Sequence, residues 1–568
     1  MKTFLAILLF STFSWHVTSQ EFHLRITGQT KEETKTVDSL QYNTKHKNVK
    51  SITDEINTLS ATLYQMGYID NVPSQATKTT DSIYVVNISL GNKVKSIHLY
   101  IGVDNILNKL LPIVPKNNEI TLPYTELDSF LTKSVQILEE QGFALAKIKL
   151  INIERKDNDL YADLKIETEQ KRKLNSITIQ YLEDSRFLKF PKGHLKQINK
   201  KYQNSIFNQK TVESIYNDFQ KYNFVNQSRY PEILFTKDNT NVYVYLEKRN
   251  SNSFDGFLGF SNNDDKKITL TGYLDVTLEN ILGTGEEVSL YWKSDGNDQK
   301  SFKGSLELSY LFKTPIGLKA QLNIFRQDST FQNTKTALDL SYYVNYNSRL
   351  YVGYHATQSS DIQNSNNTLV SDYNNSFITS SFEYTSTDPE NLLFPIQSKF
   401  QSSLGLGSRG IINSMDNSKN KQLIVNINAI HNFYFNKKNS LYFNSQNNYL
   451  QSDRYITNEL FRFGGFNSIR GFNENSLQAY FSSTLLTEYR YLLSTNLYLH
   501  SILDYSIFRN KSDTERVDIS ENLIGIGAGF GLQTKNGVLK LAIANGRSKK
   551  QQFEISNTII HISYNVKF

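Results

Sequence analysis

Ile268-Thr269-Leu270-Thr271-Gly272-Tyr273-Leu274-Asp275-Val276-Thr277-Leu278-Glu279 puts Ile268, Leu270, Leu274, Val276 and Leu278 on one parity and Thr269, Thr271, Asp275, Thr277 and Glu279 on the other. Successive side chains of an extended chain point to opposite faces, so this stretch reads as a strand with one apolar and one polar face. The pattern recurs. Leu306, Leu308, Tyr310 and Phe312 oppose Ser305, Glu307 and Ser309, and Leu423, Val425, Ile427 and Ala429 alternate with Asn426 and Asn428. From 254 to 568 there are about sixteen such segments, roughly 20 residues per strand and connection, separated by Asn, Asp, Gly, Ser and Lys clusters. Apolar outward and polar inward over that many strands predicts a 16-stranded transmembrane antiparallel β-barrel, with a soluble sandwich or propeller as the rival. The final segment carries Ile560, Ile562, Tyr564, Val566 and Phe568 on one parity and ends on an aromatic, as a closing strand would. Its partner at the seam is the first segment, Gly256-Phe257-Leu258-Gly259-Phe260, in which Gly256 and Gly259 weaken strand pairing.

Composition narrows the alternatives. Of 568 residues 39% are hydrophobic and 21% charged, and the mean hydropathy is −0.45. A polytopic helical membrane protein is excluded, because each spanning helix needs about 20 mostly apolar residues. The 34 Tyr and 35 Phe bring more apolar ring surface than a disordered chain carries. With no Cys there is no disulfide, thiolate metal site, cysteine nucleophile or lipidated cysteine. A net charge of +7 is small for this length and does not point to nucleic acid. The nine His are scattered, without a spaced pair beside carboxylates, and no phosphate-binding Gly loop follows a strand in an α/β setting. The chain is therefore expected not to be an enzyme and to hold no metal or cofactor.

Residues 1–20 have the layout of a secretory signal peptide. Lys2 is the positive end, Phe4 to Phe10 the apolar centre and Val17-Thr18-Ser19 the small-residue exit, with cleavage expected near Ser19 or Gln20. Residues 21–250 then repeat one unit three times, with expected bounds 21–92, 93–172 and 173–250. Each copy has an amphipathic helix: Ile52, Ile56, Leu59, Leu63 and Met66 in the first, Leu127, Leu131, Val135 and Leu138 in the second, Val212, Ile215 and Phe219 in the third. The helices end at Gly67, Gly142 and Asn223, residues that tolerate a left-handed cap. Alternating segments at 83–86, 160–164 and 242–246 follow, and strands at 94–101 and 174–179 open the second and third copies. A β-α-α-β-β unit fits, an α+β layer with helices on one face of a small sheet. Its open sheet edges could accept an extended segment of another chain; the alternative is a string of spacers.

Between two barrel segments lies Phe461-Arg462-Phe463-Gly464-Gly465-Phe466-Asn467-Ser468-Ile469-Arg470-Gly471-Phe472. This stretch resembles the Arg-Gly-Phe loop of the BamA/TamA outer-membrane assembly superfamily, which also includes two-partner-secretion transporters. That family usually has Val where Ile469 stands. The resemblance implies that the loop folds back into the lumen and that Arg470 pairs with acids on the next two strands, here Glu488 and Asp504. Parity agrees independently. Leu485, Thr487, Tyr489 and Tyr491 on one strand, and Leu497, Leu499, Leu503, Tyr505 and Ile507 on the next, share the lipid face and leave both acids luminal. Ser506 stands where the family often has Gly, and Ile524 to Gly531 resembles its Gly-rich penultimate region.

The three repeats then resemble POTRA domains, three being closer to the TamA-type accessory member than to core insertases, which usually carry five. The resemblance implies an outer-membrane barrel with periplasmic POTRA domains. It would bind unfolded outer-membrane or secreted β-rich clients at POTRA edges and insert or export them through the barrel seam. Its other partners would be membrane lipids and periplasmic or inner-membrane assembly factors, with no nucleic acid. The alternative is a two-partner-secretion transporter passing one exoprotein through the lumen. Such transporters typically have two POTRA domains and an N-terminal plug helix, whereas residues 22–26 read as a strand. A passive porin or surface antigen would have no use for the repeats.

Overall fold

The computed structural model describes residues 21–102, 118–181, 189–262, 268–295, 299–363, 370–388, 391, 393–412, 419–511, 519–535, 537–549 and 551–567. The expected signal peptide and Phe568 lie outside them. The chain forms two units, one up to Lys173 together with Ile206–Thr211, the other Leu174–Ser205 together with Val212 onward.

In the first unit, β1 (Phe22–Gly28), β2 (Lys45–His46), β3 (Val72–Pro73), β4 (Thr77–Lys78) and β5 (Ile83–Ser89) make one sheet, with β1 and β5 parallel at its centre. Helix α1 (Lys31–Asp38) starts at a capping box in which Thr30 and Glu33 satisfy each other's backbone N–H. Helix α2 (Val49–Gln65) buries Ile52, Ile56, Leu59 and Leu63 against Leu24, Ile26, Val86 and Ile88, about 1.5–3 kcal/mol for each side chain removed from water. Gly67 follows with φ 102°.

A second sheet holds β6 (Ser96–Tyr100), β7 (Glu119–Pro123), β8 (Lys147–Lys156) and β9 (Asp159–Glu167) in the order β7-β6-β9-β8. Helix α3 (Leu127–Glu140) packs on it, ending before Gly142 at φ 95°. Val135, assigned from sequence to the buried stripe, is exposed. Phe130 packs against the core instead, because the stripe drifts around the helix towards Phe130 and Ser134. Strand β7 is an addition to the expected β-α-α-β-β order. The two repeats are joined by Arg155, which pairs with Asp70 and donates to the Asn92 carbonyl at 2.9 Å.

The second unit opens with β10 (Leu174–Tyr181), α4 (Lys192–Tyr202), α5 (Gln209–Gln220), β11 (Val225–Gln227), β12 (Glu232–Phe235) and β13 (Thr240–Lys248). Val212, Ile215 and Phe219 are buried, as the periodicity predicts. Asn223 is not a left-handed cap; it is absent from the positive-φ residues, and its side-chain amide donates to Glu279 at 3.3 Å.

Sixteen strands then close into an antiparallel barrel. The first seven are β14 (Ser253–Asn262), β15 (Ile268–Glu279), β16 (Glu286–Asp295), β17 (Gln299–Leu308), β18 (Ile316–Gln327), β19 (Phe331–Asn345) and β20 (Ser348–Asp361). Next come β21 (Tyr373–Thr387), β22 (Ile396–Ile411), β23 (Asn420–Tyr434) and β24 (Asn439–Gln451). A long loop carrying the small hairpin β25 (Phe461–Phe463) and β26 (Leu477–Ala479) intervenes. The barrel finishes with β27 (Phe481–Ser494), β28 (Leu497–Asn510), β29 (Ile519–Gln533), β30 (Gly537–Arg547) and β31 (Ile559–Lys567). The outward parity is an exposed apolar wall, including Leu340, Val352, Ile378, Leu406 and Leu503, while Asp339, Arg409 and Asp504 are buried on the inward parity. An apolar exterior of this extent is a surface for lipid, and closure leaves no unpaired edge in the hydrocarbon.

One expected strand face is shorter than predicted. Strand β17 stops at Leu308, and Tyr310, Phe312 and Lys313 adopt left-handed backbone in the following turn. Tyr310 is instead drawn against the third repeat. There His194 is buried among Phe190, Tyr222, Phe224, Tyr310 and Tyr346, with its Nε2 3.1 Å from Ser309 Oγ. Burial, and then the charge of Arg349, push the His194 imidazole down to about 3.

Candidate functional site

The loop between β24 and β27 folds inward, and Arg470 is its anchor. Its Nε and Nη2 donate to the two carboxylate oxygens of Asp504 at 2.7 and 2.6 Å, its backbone N–H reaches Asp504 Oδ2 at 3.1 Å, and Nη1 pairs with Glu488. The Asp504 side chain is fully buried and that of Arg470 is 3% exposed. A charge so enclosed is tolerable because it is paired on both sides. Glu488 is shared with Arg490, whose Nε donates at 2.8 Å. Parity had placed both acids inward, and the lipid-facing set Leu485, Tyr489, Tyr491, Leu499, Leu503 and Tyr505 is exposed.

The neighbouring loop residues explain the rest of the motif. Ile469 and Phe472 are buried with Phe463, Ala479, Phe508 and Leu523, a small apolar core inside a polar lumen. Gly464 and Gly465 turn the chain with φ 107° and 99°. Gly471 allows close approach: a Cβ there would run into the backbone of Asn545 and Gly546 on β30. Ser506 is buried and shares a hydrogen bond with Thr484 at 2.7 Å.

A second anchor was not read from the sequence. Glu459, at the start of the same loop, pairs with Arg409 of β22 and accepts from Gln422 of β23 at 2.7 Å. Both charged side chains are essentially inaccessible. Beside them Asn458 donates to Ser359 of β20 at 2.7 Å and its carbonyl accepts from Asn333 of β19 at 2.6 Å. Farther along, Glu474 lies 3.6 Å from Lys293 of β16 and Phe466 packs on His561 of β31. The loop thus crosses the lumen and is tied to opposite parts of the wall. A polar cavity of about 870 Å³, lined by residues including Lys293, Gln327, Arg462, Glu474 and His561, remains beside it.

The wall is uneven at its closure. β14 and β31 pair only through Ser253–Lys567, Phe254–Val566 and Asp255–Asn565 among the described residues. Every other junction runs over eight or more paired residues, the next shortest being β30 with β31. Pairing with β31 stops at Gly256, where a Cβ would meet the Tyr273 carbonyl. Beyond it the Asp255 side chain accepts the Tyr564 N–H at 3.3 Å. Gly259 keeps its register with Thr271 on β15, and the Tyr564 hydroxyl is 2.8 Å from Thr534 Oγ1. The loop anchor and the seam are separate features, since Arg470 binds β27 and β28.

Several solved structures align with this chain. BamA from Haemophilus ducreyi lacking POTRA domains 1–3 aligns over 78% of this chain and 94% of its own, with 15% identity and a TM-score of 0.46. CdiB from Acinetobacter baumannii aligns over 84% and 90%, with 14% identity and a TM-score of 0.48. CdiB from Escherichia coli aligns over 90% and 98%, with 12% identity and a TM-score of 0.47. No protein-family model and no curated protein sequence matches the chain.

The residues that sequence reasoning missed left a partial signal. Arg409 shares the inward parity of β22 with Gly405 and Gly407, opposite the exposed Leu404 and Leu406. A lone inward Arg demands an acid, but nothing in the sequence selects Glu459, fifty positions away and in a loop.

Proposed function

We propose that this chain is an outer-membrane assembly factor of the BamA/TamA superfamily, a TamA-like member whose three POTRA-like repeats (21–92, 93–172 and 173–250) stand in the periplasm. It would capture unfolded β-rich clients and insert or export them through the seam of the barrel at 254–568. The observation that carries this reading is the seam itself, three paired residues in a wall whose other junctions have eight or more. Separating β14 from β31 breaks far fewer backbone hydrogen bonds than opening any other junction, so the wall yields there first.

Capture is supported by the sheet edges. Strand β8 is the longest edge strand of the repeats, with Ile151 and Ile153 exposed, and a client strand could pair along it. Arg470, Glu488 and Asp504 would hold the loop in the lumen and keep β27 and β28 in register, with Gly464, Gly465, Ile469, Gly471 and Phe472 shaping the loop around them. Gly256, Gly259, Tyr564, Val566 and Phe568 would set the seam and its closing strand. Export through the lumen, the two-partner-secretion reading, would require both loop anchors to release.

The deciding experiment uses the absence of native cysteine. Phe254→Cys and Val566→Cys are paired across the seam, so oxidation would lock it with a single disulfide. Under this proposal the oxidised variant fails to assemble its clients, as read by depletion and outer-membrane proteomics, and reduction restores assembly. Full activity of the locked barrel would refute it.

A further inference from the structure

The turn after β17 is expensive and specific. Three residues without glycine's freedom, Tyr310, Phe312 and Lys313, adopt φ of 49°, 52° and 60°, a backbone region that L side chains rarely enter. The turn is held by Lys313 N–H to the Tyr310 carbonyl at 2.9 Å and by Gln197 of α4, which donates to the Lys313 carbonyl at 2.7 Å. Its consequence is that Phe312 stands 92% exposed, on a protein that buries Tyr310 two residues earlier. The adjacent turn after β15 exposes Leu282 in the same way, and the two turns are linked by Ser309 Oγ donating to the Gly285 carbonyl at 2.7 Å.

These tips continue the lipid-facing wall. Ile316, four residues after Phe312, pairs with Tyr342, and Tyr342 with Leu350; all three are exposed on the outward parity. The helix that pins the turn adds charge. Lys192, Lys196 and Lys200 recur every fourth residue on α4, are exposed, and have no ion-pair partner among the described residues. From Lys189 to Thr211 the sequence has no acidic residue. At 100° per residue this stripe lies opposite the buried Ile198 and Tyr202, and beside the Gly193–Gln197 face that meets the turn.

We infer that α4 and the turn at Tyr310–Lys313 form a membrane-surface clamp, with Phe312 and Leu282 in the boundary between headgroups and acyl chains and the lysine stripe on anionic phospholipid headgroups of the adjoining leaflet. An aromatic ring at the interface and Lys on phosphate are each favourable there. The clamp would fix the third repeat against the bilayer at the strand ends to which it is already docked. The inference rests on the membrane-barrel reading, and the test separates the two.

The test uses the full chain in bilayer nanodiscs, with Trp15 and Trp292 replaced by Phe. Phe312→Trp is expected to give blue-shifted emission, quenched more by lipids brominated near the headgroup than near the chain end. Leu340→Trp, in the middle of the wall, is the control. Quenching at 340 but water-like emission at 312 overturns the clamp and leaves the barrel reading intact; water-like emission at both overturns both. Amide exchange of α4 is expected to slow when phosphatidylglycerol is added to phosphatidylcholine. That dependence should fall about fivefold for each Lys→Ala and vanish in K192E/K196E/K200E. Equal exchange with and without the anionic lipid, or the same slowing by inorganic phosphate alone, overturns the assignment of the stripe to the membrane.

Discussion

Replacing Arg470 by Ala tests whether the loop is held by charge pairing or by packing. The substitution leaves Asp504 with no access to water and Glu488 with only Arg490. Breaking a buried pair by removing one partner costs about 3–5 kcal/mol, because the remaining charge is uncompensated. At 1.36 kcal/mol per decade this is roughly a 10²- to 10⁴-fold rise in the open population of the loop. Hydrogen exchange of residues 464–472 in the purified barrel measures it directly. If charge is the cause, R470A/D504N should recover most of the protection, since a neutral amide needs no counter-ion and Glu488 keeps Arg490. R470K should fall between, keeping the charge but losing the two-pronged geometry on Asp504. Unchanged exchange in R470A refutes the anchor. A double variant as loose as R470A assigns the loss to packing around Ile469 and Phe472 and refutes the electrostatic account.

Glu459→Gln should loosen the other end of the loop by a similar amount, since Arg409 then lies buried without its acid; R470A and E459Q together, but neither alone, should raise single-channel conductance in planar bilayers, as the lumen clears only when both ties release. Ile151→Glu or Ile153→Glu on β8 should weaken binding of an unfolded client segment about tenfold, measured by fluorescence anisotropy on the full chain, whereas Ile83→Glu, outside that edge, should not. The His194 imidazole, held near 3 against an ordinary 6.5, stays neutral while the third repeat is docked. The undocked state takes up a proton as pH falls below about 6.5, so docking is unaffected above that pH and weakens below it by up to ~1.4 kcal/mol per unit. Proteolysis of α4 should therefore accelerate as pH falls from about 6.5 towards about 3, the bounds set by the undocked and docked pKa values, and H194Q should abolish that dependence.

Much of this protein is legible in local pattern. Alternation needs no knowledge of neighbours: a period of two marks which side of a strand is apolar, so the sixteen strands, the inward set of Glu488 and Asp504, and the outward Leu499 and Leu503 follow from parity. Helical spacing likewise exposes the cores built on Ile52 and Val212. The pattern fails where another element competes for the same residue. Tyr310 and Phe312 continue the parity of β17, yet the third repeat captures Tyr310 and turns the chain before the strand can extend. Val135 has the right spacing but sits where the stripe of α3 rotates away from its sheet.

What tertiary structure alone decided is which inward groups meet. Arg409 and Glu459, His194 and Tyr310, and the three-residue closure of β14 on β31 are relations between distant segments, set by barrel closure and by how a loop crosses a lumen. Sequence can require that a buried charge find a partner, because an unpaired one is too costly. Only closure of the chain on itself determines which partner is within reach.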